Sequence, residues 1–85
     1  MYYVYIIKSR LSKKLYIGIT VNIVKRLKEH NKGQSPATKP YTPWKIFYLE
    51  GYANEEDARD RERKLKQFGK VYSQLKRRIK RNLSV

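Results

Sequence analysis

The chain has 85 residues, with 21 lysines and arginines against 7 aspartates and glutamates, and its formal net charge is +14. This length predicts one small domain with a single thin core, and excludes a two-domain enzyme that encloses a cofactor in a deep cleft. With no cysteine and one histidine, the sequence excludes disulfides, thiolate metal sites and multi-histidine metal sites. The charge indicates a polyanionic partner, of which nucleic acid is the commonest.

Three segments rich in β-branched and aromatic residues predict strands over 2–8, 15–20 and 44–48. The short polar connection between the first two strands predicts an antiparallel hairpin. Residues 33–43 contain three prolines and a glycine, which is typical of a loop. The longest apolar run lies within the first strand and is far too short to span a membrane, so we expect a cytoplasmic protein with no membrane partner.

Two asparagines mark the starts of helices. Asn22 is a candidate N-cap for a helix that continues to about residue 31, and Asn54 is a candidate N-cap for a helix over 55–67. A basic amphipathic segment predicts a last helix over about 71–81. The order ββαβα(α) therefore predicts one α/β domain over 1–85, with a small three-stranded antiparallel sheet flanked by two to three helices.

Polar side chains lie beside the apolar faces of two of these helices. Arg26 and His30 flank the apolar stripe of the first helix, and their four-residue spacing makes them neighbours. Glu62 falls between Ala58 and Leu65 on the inner face of the second helix. A partly desolvated glutamate needs a cation or another partner. Two explanations stay open here: a buried Arg26–Glu62 ion pair that fixes the helix packing, or a functional site.

The hairpin is expected to bring Tyr5 of the first strand close to Tyr16 of the second. The two phenols could simply pack together, and Gly18 would allow a close approach to the backbone. These observations suggest one shallow surface lined by Tyr5, Tyr16, Arg26, His30 and Glu62. Such a set fits phosphodiester hydrolysis. A carboxylate holds a divalent cation, an arginine stabilises charge on the phosphorus centre, and a phenol or imidazole moves the proton of the attacking water.

The same residues lie in motifs that resemble those of the GIY-YIG nuclease family. The motifs are, in chain order, Tyr3-Val4-Tyr5, Tyr16-Ile17-Gly18, the helix segment from Lys25 to Asn31, Pro43-Trp44, and Ala58 to Glu62. A tyrosine stands where the glycine of the first motif is expected. The similarity covers roughly residues 2–72. It is closest to the small stand-alone bacterial members, in a branch that also includes the structure-selective endonuclease subunit of eukaryotes.

The resemblance implies a DNA endonuclease that uses one divalent cation, Mg²⁺ or Mn²⁺, and has low sequence specificity. By this likeness Glu62 binds the metal, and Arg26 contacts the scissile phosphate. Tyr16 acts as general base on the attacking water, Tyr5 forms a hydrogen bond close by, and His30 shares the proton transfer. Some relatives have a lysine just after the second motif, where this chain has Ile19 and Thr20. If that lysine helps to activate water, its absence makes catalysis slower or leaves the role to His30.

We expect double-stranded, branched or nicked DNA as the partner, and a protein partner or a homodimer as a further source of specificity. All seven acidic residues lie between Glu29 and Glu62, so both ends of the chain are purely cationic. Phosphate contacts of this kind give affinity that depends on salt and is blind to sequence. The basic residues expected to contact DNA are Lys14, Lys25, Lys39, Arg61, Lys64, Lys66, Arg77 and Arg78.

Two other classes of function stay open. One is a nucleic-acid-binding module that has lost catalysis and acts as an adaptor, in which an Arg26–Glu62 ion pair would account for the inward glutamate. The other is a structural protein bound to a membrane or a ribosome through its basic C-terminal segment.

Overall fold

The computed structural model of the chain describes residues 1–67 and 69–80. Three strands form one antiparallel sheet: β1 (Tyr2–Ser9), β2 (Leu15–Thr20) and β3 (Trp44–Tyr52). The strand order is β2-β1-β3, so β1 lies in the centre and pairs with both neighbours. The predicted fold class, a small three-stranded antiparallel sheet flanked by helices, is confirmed.

The third strand is longer than the sequence predicts, since pairing continues beyond residue 48 to Tyr52. Glu50 pairs with Val4 and Gly51 with Tyr3 along the central strand. A charged residue and a glycine are both poor strand formers, and the pattern therefore indicated an end at this point. Tertiary contacts override that preference here because Arg61, from the helix that follows this strand, neutralises the Glu50 carboxylate.

Two helices begin where the sequence predicts. The helix α1 (Ile23–Asn31) starts at Asn22, whose side chain accepts the backbone N–H of Lys25 over 3.1 Å. The helix α2 (Glu55–Gln67) follows Asn54, whose side chain accepts the N–H of two residues in the first turn. Each asparagine satisfies amide groups that have no partner within the helix.

A last helix, α3 (Gly69–Arg78), begins two residues earlier than predicted. Residue 81, at which the predicted helix ended, lies outside the described residues. The loop between α1 and β3 contains one short 3₁₀ turn, Lys39–Tyr41. Within the residues that the structure describes, none of the helices has the length and apolar character to cross a membrane.

The core has two parts, one on each face of the sheet, rather than the single layer expected from the chain length. Val4 and Ile6 of β1 face α2 and α3. They pack there in one hydrophobic cluster, whose other buried members are Ile17, Ala58, Leu65 and Leu75. Tyr5 and Ile7 face α1 and form a second cluster with Trp44. The alternation of side chains along a central strand buries both of its faces. The polar residues of interest therefore come from helices on both sides of the sheet.

Candidate active site

A chain of hydrogen bonds runs from Arg26 on α1 through Tyr5 on β1 to the loop that precedes β3. The Arg26 Nε–H donates to the Tyr5 Oη over 3.4 Å, and the Tyr5 Oη lies 2.9 Å from the His30 Nε2. The His30 Nδ1 lies 2.7 Å from the Thr38 Oγ1. Tyr5, His30 and Thr38 are 1%, 0% and 0% exposed. The phenol of Tyr5 and the imidazole of His30 are thus buried, and their hydrogen bonds are made to protein groups.

The direction of these hydrogen bonds follows from the acceptors present. The Thr38 hydroxyl donates to the carbonyl of Ser35 over 3.4 Å, so its oxygen accepts the N–H of His30 Nδ1. The His30 Nε2 is then an acceptor and takes the hydroxyl hydrogen of Tyr5. This leaves the Tyr5 oxygen to accept from Arg26. We therefore assign His30 as a neutral imidazole that carries its proton on Nδ1.

The charges around this chain of hydrogen bonds agree with that assignment. Burial, the largest cause, and the nearby charge of Arg26 together lower the pKa of His30 from 6.5 to about 4, against a smaller opposite effect of Glu29. Burial raises the pKa of Tyr5, the hydrogen bond from Arg26 opposes this, and the Glu62 carboxylate adds a small further increase. Glu62 thus acts electrostatically on Tyr5, although α2 packs against the other face of the sheet.

Gly18 on β2 is directly opposite Tyr5 in the antiparallel register. A Cβ atom at this position would collide with the oxygen and the Cζ of the Tyr5 phenol. The group that approaches the backbone closely at Gly18 is therefore the tyrosine of the neighbouring strand. Tyr16 pairs with Ile7, one step away, and the centres of the Tyr5 and Tyr16 rings are 6.5 Å apart. The two phenols are thus close to each other, as expected, but they lie diagonally across the strand pair and not directly opposite each other.

Tyr16 connects this buried set of hydrogen bonds to the α2 side of the sheet. Its ring centre is 5.2 Å from that of His30, in an edge-on arrangement. The Lys66 Nζ lies 5.8 Å from the Tyr16 ring centre and 3.3 Å from the Glu62 Oε2. Tyr16 and Lys66 also line an open pocket of about 260 Å³ at the β2 edge of the sheet. The lysine therefore links the phenol of β2 to the carboxylate of α2.

The five side chains assigned to one surface from the sequence are brought into one connected group in the structure, with Lys66 as the link to Glu62. The buried Arg26–Glu62 ion pair that could have explained the inward glutamate is not formed. Arg26 pairs with Glu29 over 3.2 Å, and Glu62 pairs with Lys66. The Glu62 side chain is 18% exposed and the Arg26 side chain 31% exposed, so both reach solvent at the surface of the group.

The donor set suits a metal that is shared with a substrate. Within residues 1–67 and 69–80, no group of three or more His, Cys, Asp or Glu side chains is placed to hold an ion. Glu62 supplies a single carboxylate to the connected group. Mg²⁺ commonly keeps several waters and binds through one or two carboxylates together with substrate phosphates. One partly exposed glutamate is therefore compatible with a hard divalent cation that binds together with a phosphate group.

The predicted DNA-contact residues divide into different environments. Lys25 and Lys39 are exposed in the α1 region and the following loop. The Lys14 Nζ lies 5.4 Å from the centre of the Tyr41 ring, at the other end of the hairpin. Lys64 forms an ion pair with Asp60 over 2.9 Å on the outer side of α2. Among the predicted contacts that lie on α2, Lys66 is the one that joins the connected group.

Arg61 does not join this group. Its guanidinium donates two hydrogen bonds, of 3.0 and 3.1 Å, to the two carboxylate oxygens of Glu50 on β3. Glu50 also accepts the hydroxyls of Tyr48 and Tyr52. Burial raises the pKa of Glu50, but the hydrogen bonds from Arg61 and the two tyrosines lower it overall. Arg61 therefore holds α2 against β3.

Two residues that position the group are absent from the sequence-based set. Thr38 lies in the proline-containing loop, where no periodicity marks it. The requirement of a buried histidine for a second hydrogen-bond partner is the signal that could have pointed to it. Asn31 lies at the end of the helix motif that begins at Lys25, and the sequence pattern alone indicates no role for it. Its side chain accepts the N–H of Trp44 over 2.5 Å and donates to the Trp44 carbonyl over 3.1 Å, which joins the end of α1 to the start of β3.

Comparisons with known proteins identify the class to which this protein belongs. The family model described as the GIY-YIG catalytic domain matches residues 1–72. The chain belongs to the GIY-YIG family, whose catalytic domain is that of a nuclease. The match includes β1, β2, α1, β3 and α2, and thus all the residues of the connected group.

Several proteins of one named group are similar to this chain. A UPF0213 protein of Syntrophus aciditrophicus is 41% identical over 71 residues, which cover 81% of this chain and 80% of the relative. One from Clostridium perfringens is 40% identical over 69 residues, covering 80% and 73%. One from Pediococcus pentosaceus is 36% identical over 67 residues, covering 78% and 70%. No solved structure matches the chain.

Proposed function

We propose that the protein is a divalent-metal-dependent endonuclease that hydrolyses phosphodiester bonds in DNA with low sequence specificity and prefers branched or nicked structures. The observation that carries this proposal is the connected group itself. It places an oriented arginine, two tyrosines and a partly exposed glutamate together in a chain of net charge +14. This excess of positive charge attracts a polyanionic substrate.

Arg26 is the residue that binds the scissile phosphate in this proposal. Its Nε is fixed by the hydrogen bond to the buried Tyr5 oxygen, and its Nη1 is fixed by Glu29. A guanidinium held at two points loses little further freedom when it binds an anion. Its solvent-exposed edge then stabilises the charge that develops on the phosphoryl oxygens in the transition state.

Tyr16 takes the proton of the attacking water. The Lys66 ammonium lies 5.8 Å from the centre of its ring, at the side of the sheet on which Glu62 lies. His30 is fully buried and has no direct contact with water. It therefore acts as a positioning residue, which accepts the Tyr5 hydroxyl hydrogen and so keeps the Tyr5 oxygen directed at Arg26.

Glu62 is the residue that would hold the metal. A Mg²⁺ or Mn²⁺ ion bound there would neutralise phosphoryl oxygens and activate a water molecule. The carboxylate has its Oε2 near Lys66 in the structure. Lys66 balances the charge of Glu62, and its four-carbon stem allows it to turn towards a DNA phosphate when the substrate binds.

The decisive test compares Glu62→Gln with Glu56→Gln, a matched control on the exposed side of the same helix. With supercoiled plasmid and Mg²⁺ or Mn²⁺, we expect the wild type and Glu56→Gln to produce nicked circles. We expect Glu62→Gln to lose at least about 100-fold in rate while it stays folded, because it keeps the shape of the side chain but not its charge. Nicking that persists in Glu62→Gln, or in the presence of chelator, would refute the proposal.

One observation favours a second candidate, an adaptor module that binds nucleic acid without cleavage. The Glu62–Lys66 ion pair already gives the inward carboxylate a partner without any metal. The same experiment separates the two candidates. An adaptor would bind DNA in a gel-shift assay at low salt and show no nicking at any metal concentration. In either case a protein partner or a second copy of the chain would supply further selectivity.

A further inference from the structure

A second cationic site lies between α2 and α3. A pocket of about 420 Å³ is lined by Arg61 of α2 and by Gln74, Leu75, Arg77 and Arg78 of α3. Leu75 is buried and belongs to the core, whereas Gln74, Arg77 and Arg78 are exposed. The pocket therefore has a fixed apolar base and a rim of hydrogen-bond donors that are open to solvent.

The positive charge at this pocket is only partly balanced. Glu50 neutralises Arg61 through two hydrogen bonds. Among the described residues, neither Arg77 nor Arg78 forms an ion pair with a carboxylate. No acidic residue follows Glu62 in the sequence, so α3 offers none of its own. Two uncompensated guanidiniums beside a third repel one another, and a bound anion would relieve that repulsion.

The positive charge of this pocket also acts on Tyr48, a member of the Glu50 network. Burial and Glu50 raise the pKa of Tyr48, and the charges of Arg61 and Arg78 act in the opposite direction. Arg78 is thus close enough to influence the Glu50 network, on the side of α2 that faces β3. Because Arg61 is held in place by Glu50, the donors at this pocket include one guanidinium with a fixed orientation.

The pocket and the candidate active site lie towards opposite edges of the sheet. Two consecutive residues of α2 divide them. Glu62 and its partner Lys66 lie beside Tyr16 of β2, whereas Arg61 contacts Glu50 of β3. The strand order β2-β1-β3 separates these edges by two interstrand spacings, about 10 Å. A phosphate bound in the pocket would therefore differ from a phosphate bound at Glu62.

We propose that this arginine pocket, formed by Arg61, Gln74, Arg77 and Arg78, is a second phosphate-binding site for the DNA backbone. It holds the arm of a branched substrate that leaves at the β3 edge while the scissile strand lies at the β2 edge. Arginine is suited to this role because its planar fork binds phosphate through two hydrogen bonds. This inference rests on the proposed function, since it takes DNA as the substrate, but it concerns binding and not the cleavage step.

The test measures binding in chelator, so that cleavage does not contribute. Fluorescence anisotropy compares a three-way DNA junction with a linear duplex of the same length, for the wild type and for the double variant Arg77→Gln/Arg78→Gln. The matched control is Arg59→Gln/Arg63→Gln. It removes two exposed charges from α2, where the arginines pair with Glu55 and Asp60. Circular dichroism and thermal melting check that each variant is folded.

We expect the α3 double variant to weaken junction binding roughly tenfold or more at 100 mM salt, and duplex binding by less than about threefold. The slope of log affinity against log salt for the junction should fall by about 2, one unit for each phosphate contact removed. The control variant should change junction binding by less than about threefold.

Equal weakening of junction and duplex binding would overturn the inference, as would a loss no larger than that of the control. Phosphatidylserine vesicles provide a further arm. Vesicle binding that the α3 double variant abolishes, with junction binding unchanged, would assign the pocket to lipid headgroups instead. Failure of the proposed function would be seen separately, as persistent nicking by Glu62→Gln or no nicking by the wild type.

Discussion

Two polar networks lie on opposite faces of the same sheet, and both contain tyrosines and an arginine. In the first, Tyr5 lies between Arg26 and His30 on the α1 side. In the second, Glu50 accepts four hydrogen bonds on the α2 side, which come from Tyr48, Tyr52 and, twice, Arg61. The residue types are similar, but the two networks end differently.

The Glu50 network is closed. One carboxylate is saturated by its four donors, and its charge is cancelled by one guanidinium, so the network stabilises the contact between α2 and β3. The Tyr5 network is open, because it is fully satisfied at its buried end and ends at the surface in Arg26. Arg61 thus holds α2 against β3, whereas Arg26 forms the end of its network at the surface.

The largest difference is expected when each arginine is changed to lysine. Arg26→Lys should reduce nicking by about 100-fold or more with little change in stability, because an ammonium lacks the planar fork with which a guanidinium donates to Tyr5 through Nε and to a phosphate through its Nη groups. Arg61→Lys should reduce nicking far less than Arg26→Lys does, and should lower the free energy of unfolding by about 1–2 kcal/mol. Plasmid nicking and urea unfolding measure the two effects. The reverse pattern would show that the two networks have been assigned wrongly.

The stability of the fold should depend strongly on the Glu50 carboxylate, the acceptor of the closed network. Glu50→Gln replaces a carboxylate that is 16% exposed and leaves Arg61 without its counter-charge. We expect the free energy of unfolding to fall by about 3 kcal/mol, as measured by urea or thermal denaturation. Glu56→Gln, an exposed site, serves as the control and should change it by less than about 0.5 kcal/mol. An equally small effect at Glu50 would mean that the network does not hold the fold.

The open network should give the protein a characteristic response to acid. The pKa of His30 is lowered from 6.5 to about 4 in the folded chain, so the unfolded chain takes up the proton first as pH falls. The free energy of unfolding is unaffected by this group above pH 6.5 and falls progressively towards pH 4, by on the order of 3 kcal/mol. His30 is the one histidine of the chain, so its ring NMR signals report its pKa directly. A midpoint near 6.5 would contradict the buried neutral imidazole.

The smallest effect is expected at Thr38. Thr38→Val removes the hydroxyl that accepts from the His30 Nδ1, while Thr38→Ser keeps it. We expect Thr38→Val to lower the free energy of unfolding by about 1–2 kcal/mol and to shift the His30 proton between its two nitrogens. The ¹⁵N chemical shifts of the ring measure that proton position. Identical shifts in Thr38→Val and Thr38→Ser would show that the loop does not fix the tautomer.

Local patterns in the sequence predicted much of the architecture. Asn22 and Asn54 mark the helix starts because capping depends on residues only two or three positions away. The neighbouring positions of Arg26 and His30 followed from helix periodicity for the same reason. Lys66 also lies four residues after Glu62, so their contact was accessible from spacing alone.

Other features depend on contacts between distant parts of the chain. The extension of β3 to Tyr52 and the use of Arg61 both depend on the pairing of Glu50 with a helix that begins several residues later. Thr38 comes from a loop, and its contact with His30 follows from the path of that loop. Composition shows the charge of Arg61 but not its bond to Glu50, which depends on a contact between distant parts of the chain.

The close approach of Tyr5 to Gly18 has a consequence for how the hairpin assembles. If β2 slipped by one residue against β1, Tyr5 would face Ile17 or Ile19, whose branched side chains would occupy the space of the phenol. A single absent Cβ atom thus selects one pairing of the two strands. The two tripeptides that the family name joins are, in this chain, complementary halves of one contact. The connection between β1 and β2 therefore has to return the glycine of one strand to the tyrosine of the other.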